Sequence, residues 1–109
     1  MLRRVVITGL GAVSPNGIGQ KVFWENTCNG VSGIDRIASF DPVNLACQIA
    51  GEVKNFDPSL YYSSSDLKKM PRTVPLAVAA TQEALANAGI DLGSFSEEDF
   101  ESLGVLVGS

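Results

Sequence analysis

The chain has 109 residues, a span that fits one small domain. Its 45% hydrophobic and 18% charged residues mark a globular chain rather than a disordered one. A formal net charge of −4 speaks against nonspecific nucleic-acid binding, and no apolar run nears the ~20 residues that cross a bilayer.

Met1-Leu2-Arg3-Arg4 leads straight into a strand pattern, so a secretory leader is not expected here. Arg4 to Thr8 is a short β-branched run bounded by glycine, the signature of a strand buried on both faces. Gly9, Gly11, Ser14, Pro15, Asn16 and Gly17 follow as an irregular turn. Gly19 to Asn29 has helical spacing and ends on Asn29-Gly30, a good stop signal. Gly33 to Pro42 is expected as loop. From Cys47 to Lys54 apolar and polar residues alternate, which predicts a half-exposed strand, part of a hairpin insertion. Asn55 to Ser65 is connection.

Ser65 or Asp66 is placed to cap the next helix, with Lys68, Lys69 and Met70 near its first turn. Pro71 and Pro75 move the start of the regular helix close to one of them. Val74 to Ala88 then carries a stripe of small side chains, Ala77, Ala80, Thr81, Ala84 and Ala88, and Gly89 closes it. Such a stripe lets another element approach closely. Asp91 to Glu101 is a solvated acidic connection, and Leu103 to Val107 a second apolar strand before Gly108-Ser109. The order is that of an α/β chain whose simplest closure is a parallel pair of strands. Two buried strands leave the edges of such a sheet uncovered, so the chain is expected to be the front part of a larger domain.

Two chemistries are disfavoured by the residue types. The opening Gly-x-Gly lacks the third glycine of a dinucleotide fingerprint, since Ser14 stands there, and the helix starts too late to face a pyrophosphate. The chain has no histidine, the commonest general base and the usual partner of a nucleophilic Ser or Cys. Cys28 and Cys47 lie outside any metal-ligand spacing and are expected as buried packing thiols in a reducing, cytoplasmic setting.

"RRVVITGLGAVSPNG" resembles the opening of the β-ketoacyl-acyl-carrier-protein synthases. "FWENTCNGVSGI" is similar to their first helix, "FDPVNLACQIAGEVKNFDP" to their insertion and "DLKKMPRTVPLAVAATQEALANAGI" to their second helix. "LGVLVGS" resembles the strand before a glycine-rich turn. The resemblance covers residues 1–109 in order. It implies the N-terminal segment of a thiolase-like fold, α-β-α-β-α in its layers, from enzymes of the bacterial homodimeric type. It also implies decarboxylative Claisen condensation of acyl and malonyl thioesters borne by acyl carrier protein, without metal or organic cofactor.

The family's catalytic cysteine and two histidines have no counterpart here, so no catalytic residue is assigned and the segment alone is expected to be inert. Lys68 and Lys69 match the family's basic residues that dock the carrier protein, and Arg72 lies nearby. Exposed cations steer an acidic partner, an effect that salt weakens. The alternative is a non-catalytic interaction module, such as a chain-length partner in a synthase-like complex.

Overall fold

A computed structural model describes residues 2–108. Its strands form two antiparallel hairpins, β1 (Val13–Ser14) with β2 (Gly17–Ile18) and β3 (Ile34–Arg36) with β4 (Ile49–Gly51). The helices are α1 (Gln20–Cys28), α2 (Ser64–Leu67), α3 (Thr73–Ala88) and α4 (Glu97–Glu101).

The turn after Ala12 is more regular than its composition indicates. Val13 faces Ile18 and Ser14 faces Gly17, leaving Pro15 and Asn16 as a two-residue hairpin loop. The Asn16 amide donates to Ser14 Oγ, and the Gly19 amide donates to the Ala12 carbonyl at 2.8 Å. Asn26 Nδ2 donates to the Asn16 carbonyl and Asn16 Nδ2 donates to Thr27 Oγ1, so α1 grips the loop through its own side chains.

Gly9 and Gly11 pack on α3. A Cβ on Gly11 would run into the Ala80 carbonyl oxygen and lie 2.8 Å from the Ala84 nitrogen. A Cβ on Gly9 would meet the Ala84 carbonyl oxygen and lie 2.7 Å from the Ala88 Cβ. The small-residue stripe of α3 therefore receives the glycine pair, and the lack of a side chain on the glycines, facing no more than methyl groups on α3, permits the approach. Two polar residues of α3 fix its register. Leu10 N donates to Asn87 Oδ1 at 3.1 Å and Ala12 N donates to Glu83 Oε2 at 2.8 Å. Two strand-like residues rise about 6.6 Å and four helical residues about 6 Å, so alternate amides of the segment match side chains one turn apart.

Several expectations are corrected. Arg4 to Thr8 carries no strand ladder, and Val5 and Ile7 are 92% and 83% exposed. Leu103 to Val107 carries none either, and Leu106 is fully exposed. The parallel pair is thus absent among the described residues: a doubly buried strand needs neighbours on both edges and layers on both faces, and neither run meets them here. Gly33 to Pro42 is only partly loop, because Ile34–Arg36 supplies the partner of β4, with Asp35 opposite Ala50. The strand expected over the Cys47–Lys54 alternation is confined to Ile49–Gly51. Both cysteines are exposed rather than buried. Ser63, not Ser65 or Asp66, caps α2. The acidic connection contains a 3-10 turn, Leu92–Ser94, and α4, whose Ser96–Asp99 capping box satisfies its first amides. Met1 and Ser109, named above at the opening and after the last expected strand, lie outside the described residues.

The buried residues among those described are Pro42, Pro75 and Ala79. The radius of gyration is 17.4 Å, against the ~13 Å of a compact domain this size. The elements are therefore set by local turns, caps and the α3 contact more than by a shared core.

Candidate carrier-docking site

The three cations singled out in the sequence sit where α2 runs into α3. Ser63 starts α2 by accepting from the Asp66 amide, and its hydroxyl also donates to the Asp66 carboxylate. That turns the nearest acid back along the helix, away from the lysines. Lys68 is the C-cap, still in right-handed helical conformation, and the Lys69 amide donates to the Asp66 carbonyl. Positive charge at this end complements the helix carbonyls. Lys68 and Lys69 are both exposed.

Arg72 behaves differently. It is the N-cap of α3, and its guanidinium donates to the Val53 carbonyl at 2.9 Å. This bond ties the β4 hairpin to the start of α3 and holds one cation in place. The one ion pair among the described residues joins Lys54 to Asp35 at 2.7 Å, so Lys68, Lys69 and Arg72 hold no carboxylate. The Lys54 hydrogen bond, helped by the Arg36 amide, holds the Asp35 carboxyl below the usual range, and Asp35 in turn raises Lys54. Hydrogen bonding from Ser39 and from the Ala38 amide lowers Glu52. The acids of the hairpin are thus occupied at home, and Lys54 is not part of the available patch.

Among the described residues nothing makes a nucleophile-base pair. Cys28 closes α1 at its C-terminal end, opposite to the end that stabilises a thiolate, and Cys47 lies in the connection before β4. The faces of Gly9 and Gly11 are filled by α3 rather than open to a phosphate.

Residues 2–109 match the model of the β-ketoacyl synthase N-terminal domain. The chain belongs to the β-ketoacyl synthase family. It is 38% identical over 107 residues to 3-oxoacyl-[acyl-carrier-protein] synthase 2 of Staphylococcus aureus (strain COL), covering 98% of this chain and 25% of that protein. The protein of the same name from Synechocystis sp. is 36% identical over 107 residues, again 98% of this chain and 25% of the relative. Among solved structures, the ishigamide ketosynthase/chain length factor matches with a TM-score of 0.70 at 34% identity, over 89% of this chain and 23% of its own. This β-ketoacyl synthase chain thus has the fold of the N-terminal part of a ketosynthase, and it spans about a quarter of the length of its curated relatives.

Reading the sequence alone missed Glu83 and Asn87, which anchor the glycine segment, and the bond from Arg72 to Val53. A signal for the first two was present: they are polar residues four apart, set against a stripe of alanines. No comparable signal marks the Arg72 bond, which depends on how the hairpin meets α3.

Proposed function

We propose that this chain is the N-terminal segment of the N-terminal domain of a 3-oxoacyl-carrier-protein synthase, and that it supplies part of the surface on which acyl carrier protein docks. In the reaction, the malonyl group loses carbon dioxide and its C2 attacks the acyl thioester carbon, expelling the thiolate. The nucleophilic cysteine and the two histidines of that chemistry lie outside these residues, so the segment alone is inert. The role of Lys68, Lys69 and Arg72 is recognition, in a cytoplasmic, homodimeric enzyme.

The observation that carries this reading is the exposed Lys68–Lys69 pair, without acidic partners, on a chain whose net charge is −4. An acidic protein is repelled by most of such a surface and drawn to an exposed cationic corner of it. In the full-length protein, Lys68→Glu with Lys69→Glu should raise the KM for carrier-borne substrates about tenfold or more and leave small thioesters little changed. Equal loss with both substrate types would refute docking.

A second reading has one observation in its favour. The structural neighbour is a ketosynthase/chain length factor, and the present residues serve a non-catalytic partner subunit equally well. Condensation by the full-length protein, abolished by thiol alkylation, separates the enzyme from such a partner.

A further inference from the structure

The chain holds two Asn-Gly steps, Asn16-Gly17 and Asn29-Gly30. We propose that Asn29 is a site of spontaneous deamidation, and that the last turn of α1 shields Asn16 from the same reaction. The proposal stands apart from the docking reading above.

The chemistry needs only the chain and water. Gly30 N attacks Asn29 Cγ, so that an N–Cγ bond forms and the Cγ–Nδ2 bond breaks. The amide proton passes through solvent to the departing nitrogen, which leaves as ammonia. Water then opens the cyclic imide. Cleavage of the new N–Cγ bond gives aspartate at position 29. Cleavage of the original peptide bond gives isoaspartate, with the main chain rerouted through Cγ. Nothing is oxidised or reduced. A glycine after the asparagine favours the attack, since no side chain crowds the nitrogen.

Asn29 meets these demands. It is the C-cap of α1, at φ −85° and ψ 1°, and its carboxamide holds no hydrogen-bond partner among the described residues. A Cβ on Gly30 would meet nothing within 4 Å, so the nitrogen is free to approach. Bringing it onto Cγ takes a turn about the Asn29 Cα–C bond. That turn releases two bonds, Gly30 N to the Thr27 carbonyl at 3.2 Å and Val31 N to the Asn26 carbonyl at 2.9 Å, and leaves Asn29 N on the Glu25 carbonyl. Helix ends open first and at low cost. Lys21, Glu25 and Asn29 are all exposed and follow one another along one edge of α1. Neither charge has an ion-pair partner among the described residues, so this edge keeps its water.

Asn16 meets none of them. Its Nδ2 donates to Thr27 Oγ1 at 3.0 Å, its carbonyl accepts from Asn26 Nδ2 at 2.7 Å, and its Oδ1 is enclosed without a partner. Gly17 pairs with Ser14 in the hairpin, and a Cβ there would lie 2.8 Å from Phe23 N. The two side-chain bonds come from the turn of α1 that ends on Asn29. Isoaspartate at position 29 lengthens the backbone at that turn, and either product sets a negative charge against the helix carbonyls, where it is unfavourable. Modification therefore loosens the grip of α1 on the Pro15–Asn16 loop.

Tryptic mapping of the full-length protein, aged in warm, mildly alkaline buffer with and without urea, tests this. Cleavage after Arg4, Lys21 and Arg36 puts Asn16 in peptide 5–21 and Asn29 in peptide 22–36. In urea both peptides should gain an acid at comparable rates. In the folded protein, peptide 22–36 should gain it at position 29, located by fragment ions, as an aspartate and isoaspartate doublet, the second form accepting a methyl group from isoaspartate methyltransferase. Peptide 5–21 should lag by about tenfold or more, the equilibrium worth of two neutral hydrogen bonds. Asn29→Gln should silence peptide 22–36, and Thr27→Ala, which frees the Asn16 carboxamide, should quicken peptide 5–21. A peptide 22–36 that stays intact in the folded protein while reacting in urea overturns the proposal. Reaction of both peptides at one rate in the folded protein, or gain at Asn26 in place of Asn29, overturns it too.

Discussion

Gly11→Ala isolates the contact that holds the N-terminal segment on α3. The added Cβ points into the Ala80 carbonyl oxygen and lies 2.9 Å from the Ala80 carbonyl carbon, so backbone rather than a flexible side chain must move. Overpacking of this kind costs about 1–3 kcal/mol. Moving the segment off the helix also loosens Leu10 N on Asn87 and Ala12 N on Glu83, worth about 1 and about 1.5 kcal/mol at the low end for neutral and charged acceptors. Alanine restricts the unfolded chain and returns about 0.4–1 kcal/mol. The net expectation is a loss of about 2.5–5 kcal/mol, a large share of ordinary domain stability. Urea unfolding of the full-length protein measures it, with Gly104→Ala as control, because a Cβ there meets nothing within 4 Å and should change stability by no more than about 0.5 kcal/mol. Ala80→Gly should not rescue Gly11→Ala, since it leaves the carbonyl in place and adds about 1 kcal/mol of helix cost. Parental stability in Gly11→Ala, or rescue by Ala80→Gly, would show that the glycine is not there for backbone approach.

Glu83 accepts from two amides more than sixty residues away from it, Ala12 at 2.8 Å and Gln20 at 2.7 Å, and the second is the first residue of α1. Glu83→Ala should speed hydrogen exchange at both amides together, by about tenfold or more, whereas Glu83→Gln, keeping one acceptor oxygen, should spare one of them; unchanged exchange at Ala12 and Gln20 in Glu83→Ala would contradict the clasp. For α4, the Ser96 amide and hydroxyl hold the Asp99 carboxyl below its usual value of 3.8. A carboxylate lowered in the folded state contributes stability that is present above the unfolded value and lost as pH falls through the folded one. Amide protection in Glu97–Glu101, taken relative to the intrinsic exchange rate at each pH, should therefore hold above about pH 4, fall below it, and become indifferent to that step in Asp99→Asn; a step that persists in Asp99→Asn would assign the titration elsewhere.

What the sequence determined was local. Period and punctuation located α1 and α3 to within a residue or so, because glycine at Gly89 adopts the left-handed φ of 70° wherever a helix ends on it. The alternation ahead of Lys54 located β4, and composition placed Lys68 and Lys69 on the surface. It could not place β3, since Ile34–Arg36 is a strand only by virtue of its partner fifteen or so residues on. Tertiary structure decided the rest. The runs Arg4–Thr8 and Leu103–Val107 have strand composition but no ladder, since strand hydrogen bonds belong to pairs of segments and neither run has one here. It also decided what the glycine pair is for: Gly9 and Gly11 bear on Ala80, Ala84 and Ala88 across some seventy residues of chain, and only the folded contact shows that a helix backbone, not a phosphate, occupies the space they leave.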